Sequence, residues 1–419
     1  MKMEFKSIKE VAFINPDSIT KNYPYDDIEY IDIQSVGSGY LIETKQMLLS
    51  EAPSRAKRIV KSGDIILSTV RPNRRSFFYF KEAKSNTIVS TGFAVLRAKD
   101  NIDSKYLYYT IMDEKFTNYL TLNAKGAAYP AVDTEIIEKG KIPYFPIDIQ
   151  QKIASILSAY DDLIENNTKR IKILEQMADA IYKEWFVKFR FPGYEKVRFV
   201  DSELGKIPEG WEVKTFLEVS HLRLINENIL PYQGTKKYFA TADVEGIDFI
   251  KDGIEYSYHN KPSRAQKQPV LNSVWFARMK DTYKVLLFSS PNLDLVDSIM
   301  LSSGFVGFEA LSEKWLSFLF ISIKSQEFHK QKDIFCTGAT QMSLTNEGLA
   351  RIKWLFPKEN IIEEYDKLVR PIINSILVYQ KQNKILRQTR DILLPKLISG
   401  ELDVSDLEIK VRETDKEKV

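Results

Sequence analysis

The sequence predicts an α/β protein in which two tandem globules are separated by two long helices packed as an antiparallel coiled coil. Three observations lead to this fold class. The chain of 419 residues repeats itself, each repeat begins with mixed strand-like and helix-like segments, and each ends in a long apolar stripe at helical spacing. If the two helices run antiparallel, the two copies are related by a pseudo-two-fold axis, so we also expect an internal pseudo-two-fold repeat.

The internal repeat is visible as five short segments that recur in the same order. The matching pairs are 3–11 with 211–219, 53–58 with 262–267, 90–98 with 302–310, 125–132 with 337–344, and 172–174 with 384–386. The spacing between partners stays within 208 to 212 residues. One such match could arise by chance, but five in order indicate a duplicated unit that is too long for a solenoid repeat.

Each copy opens with a globule, which we place at residues 1–147 and 211–357. Short apolar runs bounded by turn residues predict strands, for example over 64–69 and 87–96. Residues 103–120 and 312–328 predict helices, with Asp103 and Ser312 as their N-caps.

A long helix follows each globule, predicted over 148–188 and 358–400. Its apolar residues alternate in steps of four and three, which is typical of a coiled-coil seam. The predicted seam comprises Ile153, Leu157, Ile164, Ile171, Leu174, Ile181, Val369, Ile372, Ile376, Leu386 and Leu393. Each stripe also contains one asparagine, Asn167 or Asn383, a residue that fixes register at some cost in stability. Pro371 should kink the second helix or displace its start.

The remaining segments are a linker over 189–210, rich in proline and glycine, and a tail over 401–419. The net charge of the whole chain is only +3, so the position of the charges matters more than their sum. Residues 55–84 hold nine Lys and Arg against two acids, and residues 261–284 hold six against one. Two basic segments in corresponding places predict two surfaces that face a polyanion.

DNA is the polyanion that these segments fit, because Lys and Arg bind phosphate while Arg, Asn and Gln also read base edges. The candidate DNA-binding residues in the basic segments are Arg55, Lys57, Arg58, Arg71, Arg74, Arg75, Arg264, Lys267, Arg278, Lys280 and Lys284. The glycine loops after them add Lys125, Tyr129, Thr340, Gln341 and Ser343. For any single residue a solvated surface charge is an equally good explanation. Residues shared by both copies suit phosphate contacts or the fold, whereas residues that differ suit base reading.

Several kinds of chemistry have no motif in the sequence. There is no GxxxxGK[ST] phosphate loop and no GxGxxG after a strand. The three histidines, His221, His259 and His329, are scattered, and Cys336 is the single cysteine. We therefore expect no metal, no bound cofactor and no catalysis by this chain alone. The N-terminal residues lack the apolar core of a signal peptide, and no apolar run reaches the length of a membrane span, so we expect a cytoplasmic protein.

Three stretches, in this order along the chain, resemble the specificity subunits of type I restriction–modification enzymes. They are "IASILSAYDDLIENNTKRIKILEQMADAIYKEWFVKF" at 153–189, "GKIPEGWEV" at 205–213 and "LLPKLISGELDVSDLE" at 393–408. In the second globule, "VWFARMKDTYKVLLF" at 274–288 and "TGATQMSLT" at 337–345 resemble the target-recognition domains of that family.

The resemblance implies that each globule reads one half of a split DNA target and that the helices separate them as a ruler. It also implies two methyltransferase subunits, which bring S-adenosylmethionine and methylate adenine, and ATP-dependent restriction subunits. This chain would then bind neither S-adenosylmethionine nor ATP. The first globule departs from the pattern, because "KGAAYPAV" at 125–132 keeps the glycine but lacks the Thr/Ser residues of the second copy.

Two other functions stay open at this point. The chain could be a scaffold whose globules bind proteins, with incidental basic loops. It could also be a stand-alone DNA-modifying enzyme, which the missing motifs disfavour.

Overall fold

The computed structural model describes residues 3–339 and 341–409. The chain divides into two compact units. Residues 1–164 together with 385–419 form unit 1, and residues 165–384 form unit 2. Each unit therefore contains one globule and a part of both long helices, so the division cuts through the helices rather than at their ends.

The described residues of unit 1 form ten strands and four short α-helices, followed by the first long helix, which continues into unit 2. The strands are β1 (Glu4–Ser7), β2 (Ala12–Ile14), β3 (Asp27–Ile31), β4 (Lys45–Leu48), β5 (Ala56–Ile59), β6 (Ile65–Ser68), β7 (Phe77–Tyr79), β8 (Thr87–Ser90), β9 (Phe93–Ala98) and β10 (Lys141–Tyr144). The helices are α1 (Ile8–Val11), α2 (Ser104–Met112), α3 (Glu114–Asn123), α4 (Thr134–Lys139) and the long α5 (Ile147–Tyr182).

The strands of unit 1 form two four-stranded sheets, in the orders β2-β9-β6-β7 and β4-β3-β8-β5, and a pair β1-β10. In the second sheet β3 and β8 run parallel, while β4 and β5 are antiparallel to their neighbours. Helix α2 packs on the first sheet with most of its residues buried. Its N-cap is Asp103, whose carboxylate accepts from the Tyr106 amide at 2.9 Å, so that prediction is confirmed.

In unit 2, leaving out residue 340, the structure describes sixteen strands, four short α-helices and most of the second long helix. The strands are β11 (Phe199–Ser202), β12 (Gly205–Pro208), β13 (Glu212–Thr215), β14 (Leu222–Ile225), β15 (Lys236–Phe239), β16 (Val244–Glu245), β17 (Asp248–Phe249), β18 (Ile254–Tyr256), β19 (Ala265–Lys267), β20 (Ser273–Ala277), β21 (Val285–Phe288), β22 (Ile299–Ser302), β23 (Phe305–Ala310), β24 (Cys336–Thr337), β25 (Ser343–Leu344) and β26 (Lys353–Phe356). The helices are α6 (Leu293–Val296), α7 (Leu316–Lys324), α8 (Gln326–Ile334), α9 (Asn346–Leu349) and the long α10 (Glu359–Ile398).

The sheets of unit 2 repeat those of unit 1 strand for strand. Their orders are β14-β23-β20-β21, β18-β15-β22-β19 and β13-β26, with three additional two-stranded pairs. The parallel pair recurs as β15 and β22. Even the register irregularity recurs, between Ala56 and Arg58 on β5 and between Ala265 and Lys267 on β19. The predicted internal repeat and the α/β fold class are therefore confirmed.

The two long helices pair in antiparallel fashion within each unit. In unit 1 the start of α5 shares a core with the end of α10, where Ile153 and Leu157 join Leu394 and Leu397. In unit 2 the opposite ends meet. Phe186, in the π-helical turn Lys183–Val187 after α5, packs against Tyr365 near the start of α10 with ring centroids 4.7 Å apart.

The predicted seam residues are all buried or partly buried. Ile153, Leu157, Val369 and Ile376 are buried, and the other seven are partly buried. Two asparagines bond across the helix pair in unit 2. The Asn167 amide donates to Gln382 Oε1 at 3.5 Å, and the Asn383 amide donates to Thr168 Oγ1 at 3.3 Å.

Pro371 does not displace the start of the second long helix. Helix α10 begins at Glu359, upstream of Pro371, and runs unbroken to Ile398. The Pro371 carbonyl accepts a hydrogen bond from the Ser375 hydroxyl at 2.8 Å. Among the described residues, no helix is both long enough and apolar enough to cross a membrane.

Candidate nucleic-acid interface

In unit 1 both parts of the basic segment meet around the turn that connects β8 of the second sheet to β9 of the first, and we call this surface the basic edge. The Thr91 amide donates to the Arg55 carbonyl at 2.8 Å, which holds the turn before β5. The Thr69 amide donates to the Gly92 carbonyl at 2.9 Å, which holds the segment after β6. The backbone therefore brings residues 53–58 and 69–75 together at one surface.

The glycine loop of unit 1 closes onto the same edge through Arg71. The Arg71 amide donates to the Pro130 carbonyl at 2.7 Å, and its guanidinium donates to the Ala128 carbonyl at 3.3 Å. The same guanidinium lies 4.6 Å from the centre of the Tyr129 ring. Arg71 therefore shapes the loop that presents Tyr129, whose side chain is 70% exposed.

The predicted cations of unit 1 divide by what their side chains contact. Arg55, Lys57 and Arg74 are exposed to solvent. Lys125 is exposed and forms an ion pair with Asp133 at 3.4 Å. Arg75 instead donates to the Met112 carbonyl at the end of α2, at 2.6 Å, so its charge serves the fold.

Unit 2 repeats the edge with different side chains. The Ser303 amide donates to the Arg264 carbonyl at 2.8 Å, and the Arg278 amide donates to the Gly304 carbonyl at 2.9 Å. Arg264 and Lys280 are exposed. Their counterparts in unit 1 are Arg55, which is also exposed, and Arg71, which is partly buried. The two basic segments thus occupy equivalent places in the two units.

Backbone hydrogen bonds hold the described part of the glycine loop of unit 2. The Lys280 amide donates to the Met342 carbonyl at 3.0 Å, which corresponds to the bond between Arg71 and Pro130. Gly338 has a φ of +132°, and a Cβ there would lie 2.7 Å from the Gln341 carbonyl oxygen, so the turn requires glycine. Gln341 is exposed, Ser343 is partly buried in β25, and Thr340 lies outside the described residues.

Two predicted lysines of unit 2 support loops instead of standing free. The Lys284 ammonium donates to the Thr241 carbonyl at 2.9 Å. The Lys267 ammonium donates to the Asn226 carbonyl at 2.9 Å and to the Asn228 side chain at 3.4 Å. Burial, followed by repulsion from Arg278, lowers the pKa of Lys267.

A polar cleft of about 320 Å³ opens beside Lys267 and Arg278 in unit 2. Asn226, Thr345 and Asn346 are also on its walls. Burial lowers the pKa of Arg278, and burial likewise lowers the pKa of Arg58 in unit 1. Both arginines stay charged at neutral pH, because an arginine side chain is effectively always protonated.

Sequence reasoning missed Lys332, which positions the basic segment of unit 2 from α8. Its side chain is fully buried, and its ammonium donates to the carbonyls of Met279 (2.7 Å) and Thr282 (2.9 Å). It also pairs with Asp333 at 3.2 Å. No signal in the sequence marks this role, since the contacted carbonyls lie about 50 residues earlier and belong to the backbone.

The arrangement suits binding of a polyanion at an edge rather than a covalent reaction. It offers exposed cations on both sides of a short turn, and a loop with an exposed Tyr129 or Gln341 beside them. In the described part of the chain, no three His, Cys, Asp or Glu side chains come together as a metal site would require.

Comparison with known proteins agrees with the fold. Residues 1–176 match the family described as the type I restriction modification DNA specificity domain. The chain is 27% identical to the MjaIX type I restriction enzyme specificity subunit of Methanocaldococcus jannaschii, covering 96% of this chain and 94% of that protein. It is 22% identical to the HindI specificity subunit of Haemophilus influenzae, covering 90% and 95%.

A solved structure shares the fold. The S subunit of a type I restriction–modification system from M. genitalium is 14% identical to this chain and has a TM-score of 0.55, with 95% of this chain and 96% of that chain covered. The likeness therefore extends over both repeats and both long helices. The chain is therefore similar in sequence to type I restriction enzyme specificity subunits, and it shares its fold with a solved one.

Proposed function

We propose that this chain is the DNA sequence-recognition subunit of a type I restriction–modification complex and that it binds a bipartite DNA target. The observation that carries this proposal is the repetition of one basic edge. The turn between β8 and β9 in unit 1 corresponds to the turn between β22 and β23 in unit 2. Each of these turns makes the same two backbone hydrogen bonds, one to the turn that carries Arg55 or Arg264 and one to the segment after β6 or β20. Two such edges in one chain fit two blocks of sequence.

Within each edge, we assign phosphate contacts and base contacts to different residues. Arg55 and Arg264 occupy the same place in both units, so they suit a contact that every DNA sequence offers. Tyr129 and Gln341 occupy the same place in their loops but differ chemically, and both are exposed. These two positions therefore suit the reading of two different blocks.

The partners in this proposal are double-stranded DNA, two methyltransferase subunits and restriction subunits. The paired helices would set the unspecified gap between the blocks and dock the methyltransferases. S-adenosylmethionine and ATP would bind to those partners, and this chain would be non-catalytic. A subunit that recognises chromosomal DNA would act in the cytoplasm.

Methylome sequencing of the source cell, before and after deletion of this gene, tests the recognition role. We expect one adenine-methylated motif to disappear, made of two short specified blocks around a fixed unspecified gap. Restoring the gene should restore that motif. Loss of a continuous motif, or no loss from a cell with active methyltransferase subunits, would contradict the proposal.

The non-catalytic role has a separate test. The purified chain, incubated with motif-bearing DNA and labelled S-adenosylmethionine, should transfer no methyl group. The same DNA should become labelled when the methyltransferase subunits are added. Methyl transfer by the chain alone would show that it is itself an enzyme.

A further inference from the structure

Two arginines of the basic segments, Arg58 and Arg278, are partly buried, and each has a nitrogen without a partner in the part of the chain that the structure describes. In Arg58 the Nη1 nitrogen, and in Arg278 the Nε nitrogen, is enclosed and makes no hydrogen bond within the described residues. No ion pair or side-chain hydrogen bond involves either arginine in the same part of the structure. Among the described residues, each unit therefore contains one arginine of the basic segments with a buried guanidinium nitrogen that has no partner.

Other partly buried arginines of this protein are compensated. Arg97 forms two bonds to Asp64, at 2.8 and 2.7 Å, and Arg390 bonds to Asp161 at 2.5 Å. A buried charge or donor without a partner costs free energy that the fold must supply. The exceptions at Arg58 and Arg278 therefore point to a partner from outside the chain.

In unit 2 the position of the unpaired group is defined by the cleft of about 320 Å³. Arg278 directly follows β20, and its neighbour in the cleft is Lys267, whose ammonium is already occupied by the carbonyl of Asn226. Glu347 also lines the cleft but is exposed. Of the two cations that line this cleft, Arg278 is therefore the one without a partner among the described residues.

In unit 1 the corresponding strand places Arg58 where unit 2 has Lys267. Both residues lie at the same register irregularity, on β5 and on β19. A bulge of this kind re-aims a side chain, and bulges are frequent beside binding sites. The residue of unit 1 that corresponds to Arg278 is Thr69, which has no charge. Each unit therefore provides, near its bulged strand, one arginine with a buried nitrogen that has no partner among the described residues.

The shape of the site indicates which part of DNA it takes. Base edges lie at the floor of a groove, so side chains must project to reach them, as the exposed Tyr129 and Gln341 do. A phosphate projects outward from the duplex and can enter a concave site. We propose that Arg278, in the cleft of unit 2, and Arg58, in unit 1, bind phosphate groups of the DNA backbone. This proposal rests on the proposed function.

The variants Arg278→Met and Arg58→Met test this proposal in the full chain bound to its methyltransferase subunits. Two duplexes are titrated, one with the methylated motif and one with both blocks scrambled. Each variant should weaken binding to both duplexes by about tenfold. The slope of log affinity against log salt concentration should fall by about one, because one phosphate contact is lost.

Thermal unfolding of the same variants separates binding from a structural role. Removing an uncompensated buried charge should leave the melting midpoint unchanged or raise it. Arg278→Lys, which keeps a charge but loses the planar donor, should retain the salt slope and lose part of the affinity. Arg198→Met, in the exposed linker, is the control for removal of one positive charge and should change affinity by less than about twofold.

Several results would overturn the proposal. Weakening confined to the motif duplex would show base reading, and an unchanged salt slope would show that no phosphate contact is lost. A lower melting midpoint in both methionine variants would show a structural role. Equal binding of both duplexes by the unaltered complex would refute the proposed function instead, while the salt slopes would still decide the role of the two arginines.

Discussion

At the scale of single residues, the exposed loop side chains should decide which bases are read. Gln341→Ala should relax recognition at one position of one block, because an amide that pairs with a base edge contributes about 1–3 kcal/mol of discrimination. The block read by unit 1 should stay as it is. Methylome sequencing of cells that carry the variant measures this directly.

The matched variant is Tyr129→Ala, at the corresponding loop position of unit 1. It should affect the other block and leave the block of unit 2 unchanged. If either variant altered both blocks, or if neither altered any, the assignment of one loop to one block would be wrong.

His329 gives unit 2 a dependence on pH. Its ring is buried and packs 4.8 Å from the Tyr283 ring, and burial, followed by repulsion from Lys332, lowers its pKa to about 4 despite Asp333 nearby. Because the unfolded residue titrates near 6.5, protonation favours the unfolded state. The contribution is complete above about pH 6.5, and roughly 3 kcal/mol is lost as the pH falls towards 4.

Urea denaturation at pH 7 and pH 5 tests the role of His329. His329→Phe should reduce the difference between the two midpoints, since a ring of similar shape cannot be protonated. His259→Phe, at an exposed position of the same unit, should leave that difference unchanged. An undiminished pH effect in His329→Phe would assign it to other groups.

At the scale of elements, the pairing of α5 with α10 in unit 1 depends on a charged contact inside the seam. Arg390 bonds to Asp161 at 2.5 Å, and the Tyr109 hydroxyl donates to the same carboxylate at 2.6 Å. Arg390 occupies a position where a coiled coil usually has an apolar residue. Its side chain is only 14% exposed, so the bond is shielded from water.

Arg390→Met should therefore lower the free energy of unfolding by about 2–4 kcal/mol, because Asp161 would lose its countercharge in a shielded place. The double variant with Asp161→Leu should recover most of that loss, since neither charge remains. Arg387→Met, at an exposed position of the same helix, should change stability by less than about 0.5 kcal/mol. Calorimetry of the unaltered chain, the single variants Arg390→Met and Asp161→Leu, and the double variant measures the coupling, and additive losses would show that the pair is not coupled.

Elements defined by local pattern could be predicted from the sequence. The N-cap at Asp103, the repeated order of segments and the two apolar stripes all depend on residues a few positions apart. The roles of individual cations could not be predicted, because their partners are remote. Arg75 supports a carbonyl 37 residues away, and Lys332 supports one 53 residues away. The sequence shows that these residues are charged, but only the fold shows which charges are already used.

At the scale of the whole molecule, the proposed ruler role of the helices predicts how the target changes when they are lengthened. The asparagine contacts across the pair, Asn167 with Gln382 and Asn383 with Thr168, show which positions of α5 and α10 face each other. An insertion in one helix alone would break this pairing. Matched insertions of four residues, after Asn167 and before Asn383, keep the flanking segments opposite their partners.

Each insertion adds about one turn, or roughly 6 Å of helix. Since base pairs are stacked about 3.4 Å apart, the unspecified gap should lengthen by about one to two base pairs. Both specified blocks should stay the same, because the loops that carry Tyr129 and Gln341 are untouched. The methylated motif of cells with the lengthened chain gives the answer, and the chain lengthened in α5 alone serves as the control that should lose methylation. A changed block, or an unchanged gap with full methylation, would mean that the helix pair does not set the spacing.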